Sequence, residues 1–168
     1  RPALMVHLDD KGFGTRAVHG AGPPDPGTGA VVPAISLATT FRQEAVGKPL
    51  AYEYSRSGNP TRTALHEALA ALEEGTTALA FASGLAAEDT LLRTVCRPGD
   101  HVVLGGDAYG GTFRLISRVL SEWGLEHTPA DLADPDALRA AIRPTTRVVW
   151  CETPSNPLLN ITDIETTA

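Results

Sequence analysis

From Asn59 onward the apolar positions fall into regular patterns. Asn59 is a suitable N-cap and Pro60 a suitable first helical residue; Ala64, Leu65, Ala68, Leu69 and Leu72 then share one helical face, and Gly75 closes the helix. Thr77 to Phe81 is a short apolar run that predicts a buried strand, and Gly84 to Val95 predicts the next helix. Pro98-Gly99-Asp100 marks a turn before a strand over His101 to Leu104. Phe113, Leu115, Ile116, Val119 and Leu120 predict a helix from Gly111 to Trp123. Asp134 caps a helix from Pro135 to Ile142, and Arg147 to Cys151 reads as another buried strand. Strands alternating with helices imply a parallel sheet covered on both faces.

Residues up to about Pro49 lack this periodicity. Pro23-Pro24-Asp25-Pro26-Gly27 excludes a helix or a central strand there, because proline fixes φ and removes a donor. The stretch 1–50 is expected to be an extended arm, either lying on another subunit or loosely ordered. The domain proper is expected over 51–168.

Composition narrows the function classes. The 168 residues are 42% hydrophobic and 20% charged, with a net charge of -6, which fits a globular protein and lacks the basic field of a nucleic-acid binder. No apolar run is long enough to span a bilayer. Cys96 and Cys151 do not make a disulfide framework and read as small buried fillers; the five histidines lack zinc spacing. A reducing cytoplasm is the expected compartment.

In parallel α/β sheets ligands sit at the carboxyl ends of the strands. Here those ends carry Ala82-Ser83-Gly84, Gly105 to Tyr109, and Glu152 to Pro157. Ser83-Gly84 opens a helix, where free N–H groups suit phosphate; the plainer alternative is a capped strand-to-helix turn. Arg56 offers a planar fork for phosphate or carboxylate, with the Tyr54 hydroxyl beside it, or is an ordinary exposed loop arginine. Tyr109, next to Gly110 and Gly111, can lie flat on a planar ligand or simply pack beside a turn. Arg114 can reach a carboxylate or decorate a helix face; Asn156 can face a ring substituent or serve as a turn residue. Glu152 is open to pairing with a buried arginine.

Together, Tyr54-Ser55-Arg56-Ser57-Gly58-Asn59-Pro60-Thr61-Arg62, Phe81-Ala82-Ser83-Gly84-Leu85-Ala86-Ala87, Asp107-Ala108-Tyr109-Gly110-Gly111-Thr112 and Glu152-Thr153-Pro154-Ser155-Asn156-Pro157 resemble the Cys/Met-metabolism family of pyridoxal-phosphate (PLP) enzymes. The resemblance runs from about Gly14 to the end. It implies a type I PLP-dependent transferase fold, aspartate-aminotransferase-like, of which this chain holds the arm and part of the parallel-sheet cofactor domain. It implies that Tyr54 and Arg56 bind the cofactor phosphate of a neighbouring subunit, and that Ser83, Gly84 and Leu85 hold the phosphate of the chain's own cofactor. Tyr109 is similar to the tyrosine that stacks on the pyridine ring and assists exchange at its Schiff base, Asn156 to the residue near the ring hydroxyl, and Arg114 to a substrate-associated arginine.

The implied reaction is γ-elimination or γ-replacement on sulfur amino acids in transsulfuration, cystathionine γ-lyase-like, with cystathionine γ-synthase as the alternative. Gly111, where methionine γ-lyases carry cysteine, counts against that member, and the Ser57 to Thr61 pattern counts against the β-lyases. The expected assembly is a homotetramer of dimers that share active sites. The family's Schiff-base lysine and its pyridine-nitrogen aspartate are expected beyond residue 168, since Lys11 and Lys48 are the only lysines and neither has the family's Ser-x-x-Lys setting. The expectation is therefore the amino-terminal portion of a longer enzyme. The reading from another class is a truncated, non-catalytic fragment; a generic nucleotide-binding domain is disfavoured by the lack of Gly-x-Gly-x-x-Gly and Walker motifs.

Overall fold

The computed structural model describes residues 11–168. They divide into two compact units, one ending at Ala80 and the other beginning at Phe81.

The first unit is built on α2 (Pro60–Leu72). Asn59 caps it as its sequence predicts, accepting from the Thr61 N–H at 2.9 Å. The helix ends where Glu74 takes φ 55° and the Gly75 N–H bonds to the Ala70 carbonyl. The arm is less extended than its proline content suggests. A short helix, α1 (Phe13–His19), packs on α2. Gly20 permits this approach, because a Cβ there would lie 2.7 Å from the Arg16 carbonyl oxygen and 3.3 Å from the Ala68 Cα. Arg16 also pairs with Glu74 at 2.8 Å. A small hairpin, β1 (Gln43–Ala45) and β2 (Lys48–Pro49), turns through Gly47 at φ 72°. Between these elements Val31, Val32, Ile35 and Leu37 stand exposed.

Residues 77–81 do not form a strand. Leu79 is exposed and, among the described residues, the run finds no neighbouring strand to pair with. An apolar run supplies burial, but a strand also needs a partner's backbone groups.

The second unit is a three-layer α/β sandwich. Its parallel sheet has the order β4 (Glu126–Ala130), β3 (His101–Gly105), β5 (Thr146–Trp150). Successive β3 side chains serve opposite faces, as strand geometry requires. Val102 and Leu104 join Leu92 of α3 (Gly84–Val95), Cys96 at that helix's C-cap, and Leu115, Ile116 and Leu120 from the helix beyond α4 (Gly110–Arg114). Val103 packs with Leu138 and Ala141 of α5 (Pro135–Ala141) on the other face. Each such buried aliphatic side chain contributes roughly 1.5–3 kcal/mol. The helix over Gly111 to Trp123 is present, but Leu115–Leu120 is wound as a π-helix. Strand β4 has no apolar run and contains Pro129, so its sequence does not announce it. A short α6 (Ile164–Thr167), capped by Asp163, closes the described residues.

His101 locks the amino-terminal end of the sheet. It is fully buried, with Nδ1 2.8 Å from Thr146 Oγ1 on β5 and Nε2 2.9 Å from Thr128 Oγ1 on β4. Burial pushes its pKa below the ordinary 6.5; the Arg143 guanidinium and His127 push the same way, and Glu126 opposes them. Between the depressed folded value and 6.5 the unfolded chain takes up a proton that the folded chain refuses, so stability falls as pH drops through that window. His101→Ala in the full-length protein is expected to cost about 2 kcal/mol, because it leaves two threonine hydroxyls short of a partner. Urea titrations at several pH values check both points. A variant as stable as the parent, or one keeping the parent's full acid dependence below pH 6.5, would remove His101 from this role.

Candidate functional site

The two expected site residues of the first unit lie together. Tyr54 is half-buried and in a bridge with Thr40, and the Arg56 guanidinium carbon sits 4.8 Å from the centre of its ring. Arg56 is exposed and pairs with no carboxylate among the described residues. The stacked guanidinium therefore keeps its donors available for an anion.

The remaining candidates belong to the second unit. Ser83 caps α3, its hydroxyl accepting from the Ala86 N–H at 3.2 Å. The N–H groups of Gly84 and Leu85 have no acceptor among the described residues, and nothing lies within 4 Å of a Cβ built on Gly84. An anion can thus approach bare donors at the positive end of a twelve-residue helix.

This helix start meets Tyr109. A Cβ built on Gly111 would lie 2.3 Å from Tyr109 Cε1 and 3.0 Å from Leu85 Cδ1. The tyrosine ring therefore occupies space that only glycine leaves free, next to the first turn of α3. Tyr109 is 52% exposed, which leaves aromatic surface open to a planar ligand. Arg114 folds back along α4, its Nη1 3.3 Å from a Cβ built on Gly110, which brings its charge towards the same end.

Two carboxylates tie the loop after β3 to the loop after β5. Glu152 Oε2 accepts from the Tyr109 N–H at 2.8 Å, and Oε1 from the Trp150 indole N–H at 3.1 Å. Glu152 thus bonds an amide and an indole, not the buried arginine its sequence context allows. Asp107 accepts from Asn160 Nδ2 at 2.8 Å, and hydrogen bonds from Ser155 and Asn160 hold its carboxyl below the usual carboxylate range. Asn156 is exposed and makes no side-chain hydrogen bond to the described residues, so its amide is free. Asp107 stands in a quoted motif but has no role expected from sequence, and Asn160 is not among the expected site residues. An acid at a strand's carboxyl end is the signal that could have exposed the first; nothing local marks the second.

Of the three expected loops, those after β3 and β5 do lie at strand ends. The Ala82-Ser83-Gly84 turn opens α3 without a preceding strand. Cys96 is buried, and burial raises its pKa; Cys151 is partly buried, and both are free thiols. Among the described residues there is no metal-binding cluster and no helix long and apolar enough to cross a membrane.

Comparison with known proteins gives the chain's family. The chain is 55% identical over 159 residues to the cystathionine γ-synthase of Mycobacterium tuberculosis (strain ATCC 25618 / H37Rv), an alignment covering 94% of this chain and 41% of the relative. It is 50% identical over 151 residues to the cystathionine β-lyase MetC of Bacillus subtilis (strain 168), covering 90% of this chain and 38% of the relative. A crystal structure of cystathionine γ-lyase from Lactobacillus plantarum complexed with L-serine superposes with a TM-score of 0.85 at 49% identity, over 91% of this chain and 40% of that one. The chain therefore spans about two fifths of the length of these relatives. The Cys/Met metabolism PLP-dependent enzyme family matches residues 14–168, and the chain belongs to that family.

Proposed function

We propose that the whole protein carries out PLP-dependent γ-elimination or γ-replacement on a sulfur-containing or activated homoserine amino acid. The observation that carries this reading is the meeting of Leu85 and Tyr109 over Gly111. It makes the anion-accepting start of α3 and a flat exposed aromatic ring a single locus, which fits a phosphorylated planar cofactor.

When bound, PLP supplies an electron sink for charge developing beside the substrate's amino group. The chain's own contributions are positional and protonic. The N–H groups of Gly84 and Leu85, with the Ser83 cap, hold the phosphate. The Tyr109 ring would lie against the cofactor's planar ring, and its Oη would move a proton at the substrate's amino nitrogen. The Asn156 amide would bond the ring hydroxyl, and Arg114 would bind the substrate carboxylate. Tyr54 and Arg56 complete the phosphate site of a neighbouring subunit in a homotetramer of site-sharing dimers, with residues 11–50 lying across the partner; the first ten residues of the expected arm lie outside the described residues. Exposed Val31, Val32, Ile35 and Leu37 support that use of the arm. A cytoplasmic location completes the reading.

Elimination, as in a cystathionine γ-lyase, is the first form of this proposal. The γ-synthase name of the 55% identical relative favours replacement as the second. The full-length protein, loaded with PLP, should convert cystathionine and water to cysteine, 2-oxobutanoate and ammonia, or O-acyl-homoserine plus cysteine to cystathionine and the free carboxylic acid. Release of homocysteine and pyruvate from cystathionine would instead establish β-elimination. Failure to take up PLP, read as the lack of a visible absorbance band, would overturn the cofactor reading itself.

A further inference from the structure

We infer that Glu152 is a positioning residue for Tyr109, acting through the tyrosine's backbone. The inference deepens the proposed function and rests on it for the catalytic consequence, although the geometry stands by itself.

Tyr109 occupies the N-cap position of α4. Amides at the start of a helix have no carbonyl partner within the helix. The Tyr109 N–H finds one 43 residues away, in Glu152 Oε2 at 2.8 Å. The other carboxylate oxygen accepts from Trp150 Nε1 at 3.1 Å. Trp150 is itself in register with Leu104 on β3 and packs against the core formed with Leu104 and Ile116. The carboxylate is therefore held on one side by an indole seated in the sheet, and holds the tyrosine's amide on the other.

The side chain follows from the backbone. The bond to the Tyr109 amide holds the peptide plane that leads into its Cα, and from that Cα the ring lies across Gly111. If the amide were released, the short Gly-Gly step after Tyr109 would let the Cα swing, and the phenol would lose its aim. A carboxylate suits this place because it accepts from two donors at once and has none of its own. A glutamine offers one acceptor oxygen and presents an N–H₂ group to the other donor.

A purely structural tie between the same two loops supplies the comparison. Asp107 with Asn160 joins the loop after β3 to the loop after β5 without touching the tyrosine's amide. If Glu152 were only a loop staple, Asn160→Ala would reproduce its effects.

The test uses the full-length protein. In the cofactor-free form, Glu152→Ala should speed hydrogen–deuterium exchange at the Tyr109 amide, whereas Asn160→Ala should leave that amide protected. In the PLP-loaded form, Glu152→Ala should lower kcat by about 10- to 100-fold with KM within about twofold, the scale expected from a misaimed group. Combined with Tyr109→Phe, it should cost nothing beyond Tyr109→Phe alone, since both act through one phenol. Glu152→Gln keeps the shape and should show the same pattern in weaker form, which covers the case in which the alanine variant does not fold. Unchanged exchange at Tyr109, or losses that multiply in the double variant, would overturn the inference. If exchange responds as expected but the parent protein takes up no PLP, the geometry stands and the functional reading falls.

Discussion

Tyr109→Phe is expected to lower kcat of the PLP-loaded protein by about 100- to 1,000-fold, the range of a lost proton-transfer group. Cofactor retention should hardly change. Phenylalanine keeps the ring that lies over Gly111 beside Leu85, and removes only the hydroxyl. The split matters because loss of stacking and loss of the phenol predict different results. A variant that sheds cofactor would show that the ring's main service is binding. A variant with full kcat would show that the proton travels elsewhere. Stopped-flow absorbance on mixing with substrate separates these outcomes, since retention is read before mixing and proton transfer afterwards.

Arg56→Ala is expected to weaken PLP retention by about 100-fold, in line with the 1.5–3 kcal/mol typical of a hydrogen bond to a charged group. Arg56→Lys should recover part of the loss, because it restores charge but not the planar fork lying on Tyr54. Equilibrium dialysis of the cofactor measures both. The shared-site reading makes a second demand. Arg56→Ala subunits, inactive for want of a phosphate ligand, should complement subunits that lack the Schiff-base lysine. A random equal mixture of dimers should regain about one site in four, since each mixed dimer holds one site with both defects and one with neither. No recovery on mixing would place Arg56 in its own subunit's site. Full retention by the alanine variant would remove Arg56 from the phosphate altogether.

What the sequence made legible was whatever its local rules control. The caps at Asn59, Ser83 and Asp134 all appear with the hydrogen bonds their residue types predict. Strand β3 emerged because it is an apolar run that the sheet buries; β5 emerged from its Val148-Val149-Trp150 run, although none of its residues is fully buried, so the buried strand expected there is only partly covered. The features that stayed hidden depend on distant partners. Helix α1 is held by α2 and the Arg16–Glu74 pair, and nothing within Phe13–His19 foretells either. Residues 77–81 read as a strand yet have no partner among the described residues, whereas β4, polar and proline-bearing, is a strand because β3 pairs with it. The site divides likewise. Ser83, Gly84, Tyr109 and Arg114 were marked by their place beside glycine and at helix starts. The bond from Glu152 to the Tyr109 amide crosses 43 residues, and a local pattern cannot contain it.

Pro129 gives the sheet a direction of growth. The Glu126 N–H donates inward to the Asp100 carbonyl, so alternation turns the backbone nitrogens of His127 and Pro129 away from β3. At Pro129 that outward nitrogen carries no hydrogen. An incoming strand on this side would find a gap in its ladder, which is how natural edges discourage stray pairing. Beyond β5 there is no such interruption, because Thr146–Trp150 contains no proline. One flank of the sheet is thus sealed by a single imino acid, while the other remains open to an added strand, whether from this protein or from an unwanted neighbour.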